Sequence, residues 1–167
     1  MLHRFIQYNT WANQQICEYI LKSSNTADQT VISSFPSIRK TLYHIWDAQE
    51  IWLCRLKRQA ITDFPSKSFT GTLEEGCEGI TASSSEMEKI AHGMAMDTQI
   101  NYQDLKGNLY TSTAEEILMH VVNHGTYHRG QIITLLRQCG FTEVGSTDFM
   151  RFLRKDRKST RLNSSHR

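Results

Sequence analysis

The sequence predicts an all-α fold, a four-helix bundle with a short extended hairpin before its last long helix. Only two prolines, Pro36 and Pro65, interrupt the 167 residues, so long windows are open to helices. Apolar residues recur at helical spacing through four of these windows, and connections of about 12–15 residues separate them. Amphipathic helices of this number bury their apolar faces by packing into a bundle.

The first two helices are predicted from their apolar faces and their flanking residues. The first runs from about residue 2 to residue 22, and Asn9 and Asn13 interrupt its apolar face with amides. A polar loop follows, and Ser37 can cap the second helix, which runs to about Arg58. His44 lies in the second turn of that helix, on the face that also carries Ala48 and Ile51.

Two capping boxes mark the other two long helices. Thr72 with Glu75 opens a third helix that runs to about residue 96, although its glycines and serines weaken it. Between residues 97 and 112 the pattern changes to two short strands around Lys106-Gly107-Asn108. Thr113 with Glu116 opens the fourth helix, which Gly140 ends. Residues 141–155 are expected to form a loop and a short final helix.

The charge of the chain is concentrated in its last twelve residues. The formal net charge is +2, and residues 156–167 hold four basic residues against one acidic residue, a net +3. The remainder therefore carries −1, and a near-neutral body offers no electrostatic surface for nucleic acid. The tail resembles the translated read-through of a sequencing adapter. We therefore expect one domain over residues 1–155, with residues 156–167 foreign to the native protein.

Other sequence features favour a cytoplasmic protein. No window holds eighteen consecutive apolar residues, and the start of the chain lacks an apolar signal core, so we expect neither a membrane span nor an export signal. The four cysteines are far apart and form no CxxC pair. This spacing suits reduced thiols better than a disulfide framework or a cysteine zinc site.

A pair of histidines in the fourth helix indicates a metal site. His124 and His128 are four residues apart, so their rings share one face near the centre of the apolar stripe. The same spacing lets two imidazoles bind one ion in the HExxH helix. The pair alone is weak evidence, because buried histidines often bind backbone carbonyls. His44 strengthens the hypothesis, since it is central in another apolar-faced helix and can supply a third nitrogen.

The other histidines fit a metal site less well. His120 continues the series but lies at the edge of the stripe, so helical periodicity favours it as a neighbour of the site. His3, His92 and His166 have no comparable setting and are expected on the surface.

Four segments together resemble the DinB family. They are Tyr8–Asn13, Leu42–Ile45, His120–Gln131, which contains His-Gly-Thr-Tyr-His-Arg-Gly-Gln, and Ser146–Leu153. They occur in that family's order and at its usual separations, and the resemblance covers essentially residues 1–155. It implies a four-helix bundle that holds a divalent metal, Zn²⁺ or Ni²⁺ above all, with three histidines. Carried over, the ligands fall on His44, His124 and His128.

Three neutral ligands leave the ion its charge and an open position for water or substrate. Neighbouring groups should hold the rings in the correct tautomer, and the candidates are His120, Asp47, Asn9, Asn13 and Gln131. Arg129 points about 100° from His128, so we expect it to bind a neighbouring helix end, the chain's own loops or a dimer partner. Gly130 is expected to permit close helix packing.

Two functions follow from this site. The first is a metal-dependent hydrolase that acts on a small molecule or, as the resemblance to the DinB family implies, a thiol-dependent S-transferase with a low-molecular-weight thiol as the suggested partner. The alternative is a non-catalytic stress-response or binding module in which the metal is structural. A di-iron carboxylate protein is excluded, because that class needs two Glu-x-x-His motifs and this chain has none. The resemblance also suggests a homodimer.

Overall fold

The computed structural model describes residues 1–61 and 63–164, with side chains described as far as residue 156. The elements are α1 (Leu2–Lys22), α2 (Ile38–Leu56), α3 (Pro65–Ser68), α4 (Leu73–Gly93), β1 (Gln99–Gln103), β2 (Leu109–Thr113), α5 (Ala114–Gln138) and α6 (Phe149–Ser164). The strands pair antiparallel, with Gln99 opposite Thr113. The predicted all-α bundle with a hairpin before its last long helix is therefore confirmed.

The four long helices pack around two apolar clusters. α1 packs against α4 and α5, and α2 packs against the same two helices. The first cluster includes Ile6 of α1, Leu56 of α2 and Ile117 of α5. The second includes Ile20 of α1 and Ile38 of α2. α1 and α5 therefore run from the first cluster to the second, while α2 and α4 run in the opposite direction. Because α2 and α4 are parallel neighbours, residues 57–72 must return along the bundle.

A layer of buried polar side chains separates the two clusters. The Arg129 Nη1 group donates to Asn9 Oδ1 and Asn13 Oδ1, both at 2.8 Å. The amide nitrogens of the same two asparagines donate to Gln49 Oε1, which also accepts from Ser84 Oγ. Each of these five residues is at most 1% exposed. The layer thus joins all four long helices through mutual hydrogen bonds. Arg129 binds the middle of α1, and the expectation of a helix end, a loop or a dimer partner is therefore wrong.

The predicted helix starts agree with the structure, and several ends do not. Both capping boxes form, with Thr72 bonded to Glu75 and Thr113 bonded to Glu116. α2 and α4 end two and three residues before the predicted positions, and the single-turn helix α3 was not predicted. α6 continues to Ser164, past the predicted boundary at residue 155. That residues 156–167 are foreign stays a prediction, and residues 165–167 lie outside the described part.

Other sequence predictions concern cysteines and membrane spans. All four cysteines are free. Among the described residues, no helix combines the length and the apolar character needed to cross a bilayer.

The glycines of the bundle have different roles from those predicted. A Cβ atom on Gly79 of α4 would overlap the Trp46 ring, and one on Gly76 would lie 2.6 Å from the Tyr43 hydroxyl. These glycines weaken the helix locally but let α2 and α4 approach. The prediction that Gly130 permits close packing is wrong, because a Cβ there meets no atom within 4 Å. In α5 that role belongs to Gly125, which faces Asn9 and the Arg129 guanidinium.

Replacing Gln49 by leucine should destabilise the bundle. Leucine keeps the approximate volume but leaves the Asn9 amide group without its acceptor, and it removes one of the two acceptors of the Asn13 amide group, the other being Ser84 Oγ. An unsatisfied buried donor costs about 1–3 kcal/mol, so we expect Gln49→Leu to lower the free energy of unfolding by about 1–3 kcal/mol in urea denaturation. Gln14→Leu, on the exposed face of α1, is the matched control and should change it by less than about 0.5 kcal/mol. Equal effects of the two substitutions would contradict this role of the polar layer.

Alanine should have opposite effects at two helical glycines. Gly79→Ala should lower the free energy of unfolding by about 1–3 kcal/mol, because the Trp46 ring must move. Gly130→Ala should raise it by up to about 1 kcal/mol, because alanine favours the helix and the space is open. Thermal unfolding of the two variants compares them, and stabilisation by Gly79→Ala would contradict the close contact between α2 and α4.

Candidate metal centre

Three imidazoles from two helices meet beside the polar layer. His44 projects from α2, and His124 and His128 project from successive turns of α5. The ring centroid of His44 lies 4.9 Å from that of His124 and 4.6 Å from that of His128. The centroids of the two α5 rings are 4.5 Å apart. The structure thus brings together the three histidines that the sequence singled out.

The nitrogen atoms of this cluster have the spacing of a metal site. His44 Nε2 and His124 Nε2 are 3.0 Å apart, and one potential ligand atom from each of the three residues lies within 4.8 Å of the others. Two nitrogens bound to one tetrahedral ion at 2.0–2.1 Å are about 3.3 Å apart. Small movements of His128 suffice to reach that separation, so this donor set fits a divalent ion. Among the described residues no cysteine or carboxylate joins the cluster.

The surroundings keep these imidazoles neutral. Burial, together with repulsion between like charges from the neighbouring His128 and His44 rings, lowers the pKa of His124 to about 3. Burial also lowers the pKa of His44 and that of His128. A neutral imidazole has the free electron pair that a metal needs, so all three rings can serve as ligands at neutral pH.

Gln131 orients the His128 ring. Its Oε1 atom accepts a hydrogen bond from His128 Nδ1 at 2.7 Å. The orientation of the amide is consistent with its other contacts, since Nε2 donates to Ser34 Oγ and Tyr127 Oη. With the proton on Nδ1, the electron pair of His128 is on Nε2 and available to an ion.

Sequence reasoning missed Phe35 as part of this site. The Phe35 ring stacks on His44 at 4.3 Å and contacts the edge of His128 at 5.8 Å between centroids. It lies in the loop between α1 and α2, where helical periodicity gives no information. The sequence feature that could have indicated Phe35 is its position two residues before Ser37, the predicted N-cap of α2. The loop from Ser34 to Phe35 therefore covers one side of the cluster.

The other predicted neighbours contact different groups. Asp47 Oδ1 accepts from the backbone N–H of Ser66 and so holds the start of α3. Asn9 and Asn13 bind Arg129 and Gln49 within the polar layer. Among the described groups, none of these three has a hydrogen bond to an imidazole of the cluster.

His120 and the remaining histidines lie farther away. The His120 ring is 5.9 Å from that of His124 and 5.1 Å from that of Trp52. His3 and His92 are exposed, as predicted, and their tilted rings lie 4.8 Å apart between centroids. His166 lies outside the described residues.

A cavity opens from the cluster toward the hairpin. Its volume is about 480 Å³, and His124 lines one end of it. His120, Trp52 and Tyr110 form its walls, and Arg55 lies at the far end. A small molecule that enters here reaches the His124 ring without passing through the bundle core.

The comparisons with known proteins agree with this architecture. The family model described as the DinB family matches residues 1–160. The chain is 30% identical over 161 residues to Protein DinB of Bacillus subtilis strain 168, covering 90% of this chain and 92% of that protein. It also resembles the crystal structure of a DinB-like protein from Bacillus cereus, with a TM-score of 0.66, 19% identity, and 85% and 94% of the two chains covered. This chain therefore belongs to the DinB family.

Proposed function

We propose that the protein is a metal-dependent enzyme, a hydrolase or a thiol-dependent S-transferase, with Zn²⁺ or Ni²⁺ held by His44, His124 and His128. The observation that carries this proposal is a three-imidazole cluster with one ring on the wall of an open cavity. A structural zinc site normally has four protein ligands, and the described residues supply three. When bound, such an ion acts as a Lewis acid that lowers the pKa of a coordinated water or thiol.

The residues around the cluster divide the site into a covered side and an accessible side. Phe35 packs against the His44 and His128 rings, and Gln131 holds His128 in one tautomer. His120 and Trp52 line the other side, where the cavity admits a small molecule. A site with one protected side and one accessible side suits a small substrate, and the small-molecule partner remains part of this proposal. The cytoplasmic location and the homodimer stay predictions.

Alanine at two of the histidines should abolish metal binding. We expect His44→Ala and His128→Ala each to purify with far less than one equivalent of metal, because two imidazoles bind an ion much more weakly than three. His92→Ala removes an exposed histidine far from the cluster and is the matched control. Elemental analysis of the purified proteins measures the difference. Unchanged metal content in both cluster variants would contradict the proposed site.

The alternative of a non-catalytic module with a structural metal has a different signature. Under that alternative, a chelator lowers the melting temperature sharply, and no added thiol or anion changes the visible spectrum of the cobalt-substituted protein. Under the proposed function, an added thiol changes that spectrum, because the ion has an open position.

Loss of the Gln131 amide should weaken metal binding while leaving every ligand present. We expect Gln131→Ala to raise the dissociation constant for Zn²⁺ about 10- to 100-fold, because the His128 ring loses the acceptor that fixes its tautomer. Gln138→Ala, on the exposed face of the same helix, is the control and should have no effect. Competition with a chromophoric chelator measures both constants, and equal affinities would show that Gln131 does not orient the ring.

A further inference from the structure

A separate cavity lies between α2 and the start of α4, beside α3 and the loop that follows it. The volume of this α2–α4 cavity is about 750 Å³, and Trp46 and Glu50 of α2 line it. These two residues lie about 200° and 240° around the helix from His44, on the opposite side of α2. Of the described residues, none lines both this cavity and the one that opens at His124. The α2–α4 cavity is therefore distinct from the candidate metal centre.

Two aromatic rings form walls of the α2–α4 cavity. The ring centroids of Trp46 and Phe69 are 5.3 Å apart, and the ring planes meet at 65°. The Trp46 ring packs against Gly79 of α4, and its Nε1 group donates to Glu50 Oε1 at 3.1 Å. These contacts hold the indole in place before a ligand arrives. Aromatic faces attract organic cations, and a cavity of this volume suits a small molecule.

The charged side chains that line the α2–α4 cavity are all acidic. They are Glu50, Asp63 and Glu75. Asp63 and Glu75 accept hydrogen bonds from nearby backbone N–H groups, and Lys67 acts on the exposed Asp63 from outside the cavity. Glu50 Oε1 accepts from the indole, whereas Glu50 Oε2 has no hydrogen-bond or ion-pair partner among the described residues. The partly buried Glu50 carboxylate thus has one oxygen available to a cation.

A buried hydroxyl without a partner belongs to the same region. An adjoining cavity of about 400 Å³ shares Glu50 and Cys54 with the first, and Ser83 of α4 also lines it. Ser83 is 5% exposed, and its Oγ has no hydrogen-bond partner among the described residues. Such a hydroxyl is unfavourable unless a ligand or water satisfies it. Lys57, which lines the adjoining cavity, is paired with Glu86 at 2.9 Å.

We propose that the α2–α4 cavity binds a small primary amine, with its ammonium between Glu50 and Ser83 and its apolar body against Trp46 and Phe69. A primary ammonium has three N–H donors, so it can bind Glu50 Oε2 and Ser83 Oγ and leave one donor for water. The carboxylate balances the charge of the ligand, and the aromatic faces add a cation–π attraction. This inference does not depend on the proposed function, because the site shares no residue with the histidine cluster.

Three probes with one carbon skeleton test this assignment on the full chain by isothermal titration calorimetry. They are 2-phenylethylamine, 2-phenylethanol and trimethyl(2-phenylethyl)ammonium. We expect the amine to bind about tenfold or more tightly than the alcohol, which has no charge for Glu50. We expect it to bind about threefold or more tightly than the quaternary cation, which has no N–H group for Ser83.

Three variants separate charge from hydrogen bonding. Glu50→Gln keeps the shape of the side chain and an acceptor for the indole, and should reduce the preference for the amine over the alcohol to about twofold or less. Ser83→Ala should weaken amine binding about three- to fivefold and leave the affinity for the quaternary cation unchanged. Glu78→Gln removes an exposed carboxylate of α4 outside both cavities, and should retain the full preference.

The outcomes decide between this site and other places for the amine. Absent amine binding, equal wild-type affinities for the amine and either other probe, or a full preference in Glu50→Gln each overturn the proposal. If Glu50→Gln lacks a cooperative unfolding transition, the selective loss of amine affinity in Ser83→Ala carries the test. The amine should leave the visible spectrum of the cobalt-substituted protein unchanged. A changed spectrum would place the amine on the metal and overturn the proposal, whereas failure of metal binding leaves the calorimetric test intact.

Discussion

A guanidinium buried at the centre of a helical bundle must be solvated by the protein itself, and here the amides of α1 solvate Arg129. The Asn9 and Asn13 oxygens accept its hydrogen bonds, and the Tyr8 ring lies 5.5 Å from its central carbon. Gln49 then holds both asparagines, so a shift of any one helix along its axis leaves buried polar atoms unpaired. Apolar contacts alone tolerate such shifts much better.

This polar layer sets the geometry of the histidine cluster. Arg129 follows His128 directly on α5, and Gln49 lies five residues after His44 on α2. The hydrogen bonds that fix the register of α5 against α1, and of α1 against α2, therefore also fix how far apart the His44 and His128 rings stand. The histidine cluster is thus prearranged by groups that do not touch it, so an ion held there would not carry the cost of ordering these side chains.

The four long helices could be predicted from the sequence, because their apolar residues recur at helical spacing. The three histidines of the cluster could be predicted as well. The capping boxes and the phase of His124 and His128 are local properties, so one sequence suffices to find them. Gly79 and Phe35 could not be assigned, because their roles depend on which distant ring packs against them. Asn9 and Asn13 could be found as exceptions on an apolar face, but their partner Arg129 follows only from the three-dimensional arrangement.

Three of the polar side chains that interrupt apolar helix faces belong to one connected structure. Asn9 and Asn13 interrupt the apolar face of α1 at the level where His128 lies on the apolar face of α5. Gln49 interrupts the apolar face of α2 close to His44, and it accepts hydrogen bonds from both asparagines. A core without these residues would pack more simply, yet nothing in it would hold α2 and α5 at the separation that an ion requires. The same polar residues therefore have two consequences. Their burial costs stability, and their hydrogen bonds fix the position of the histidines.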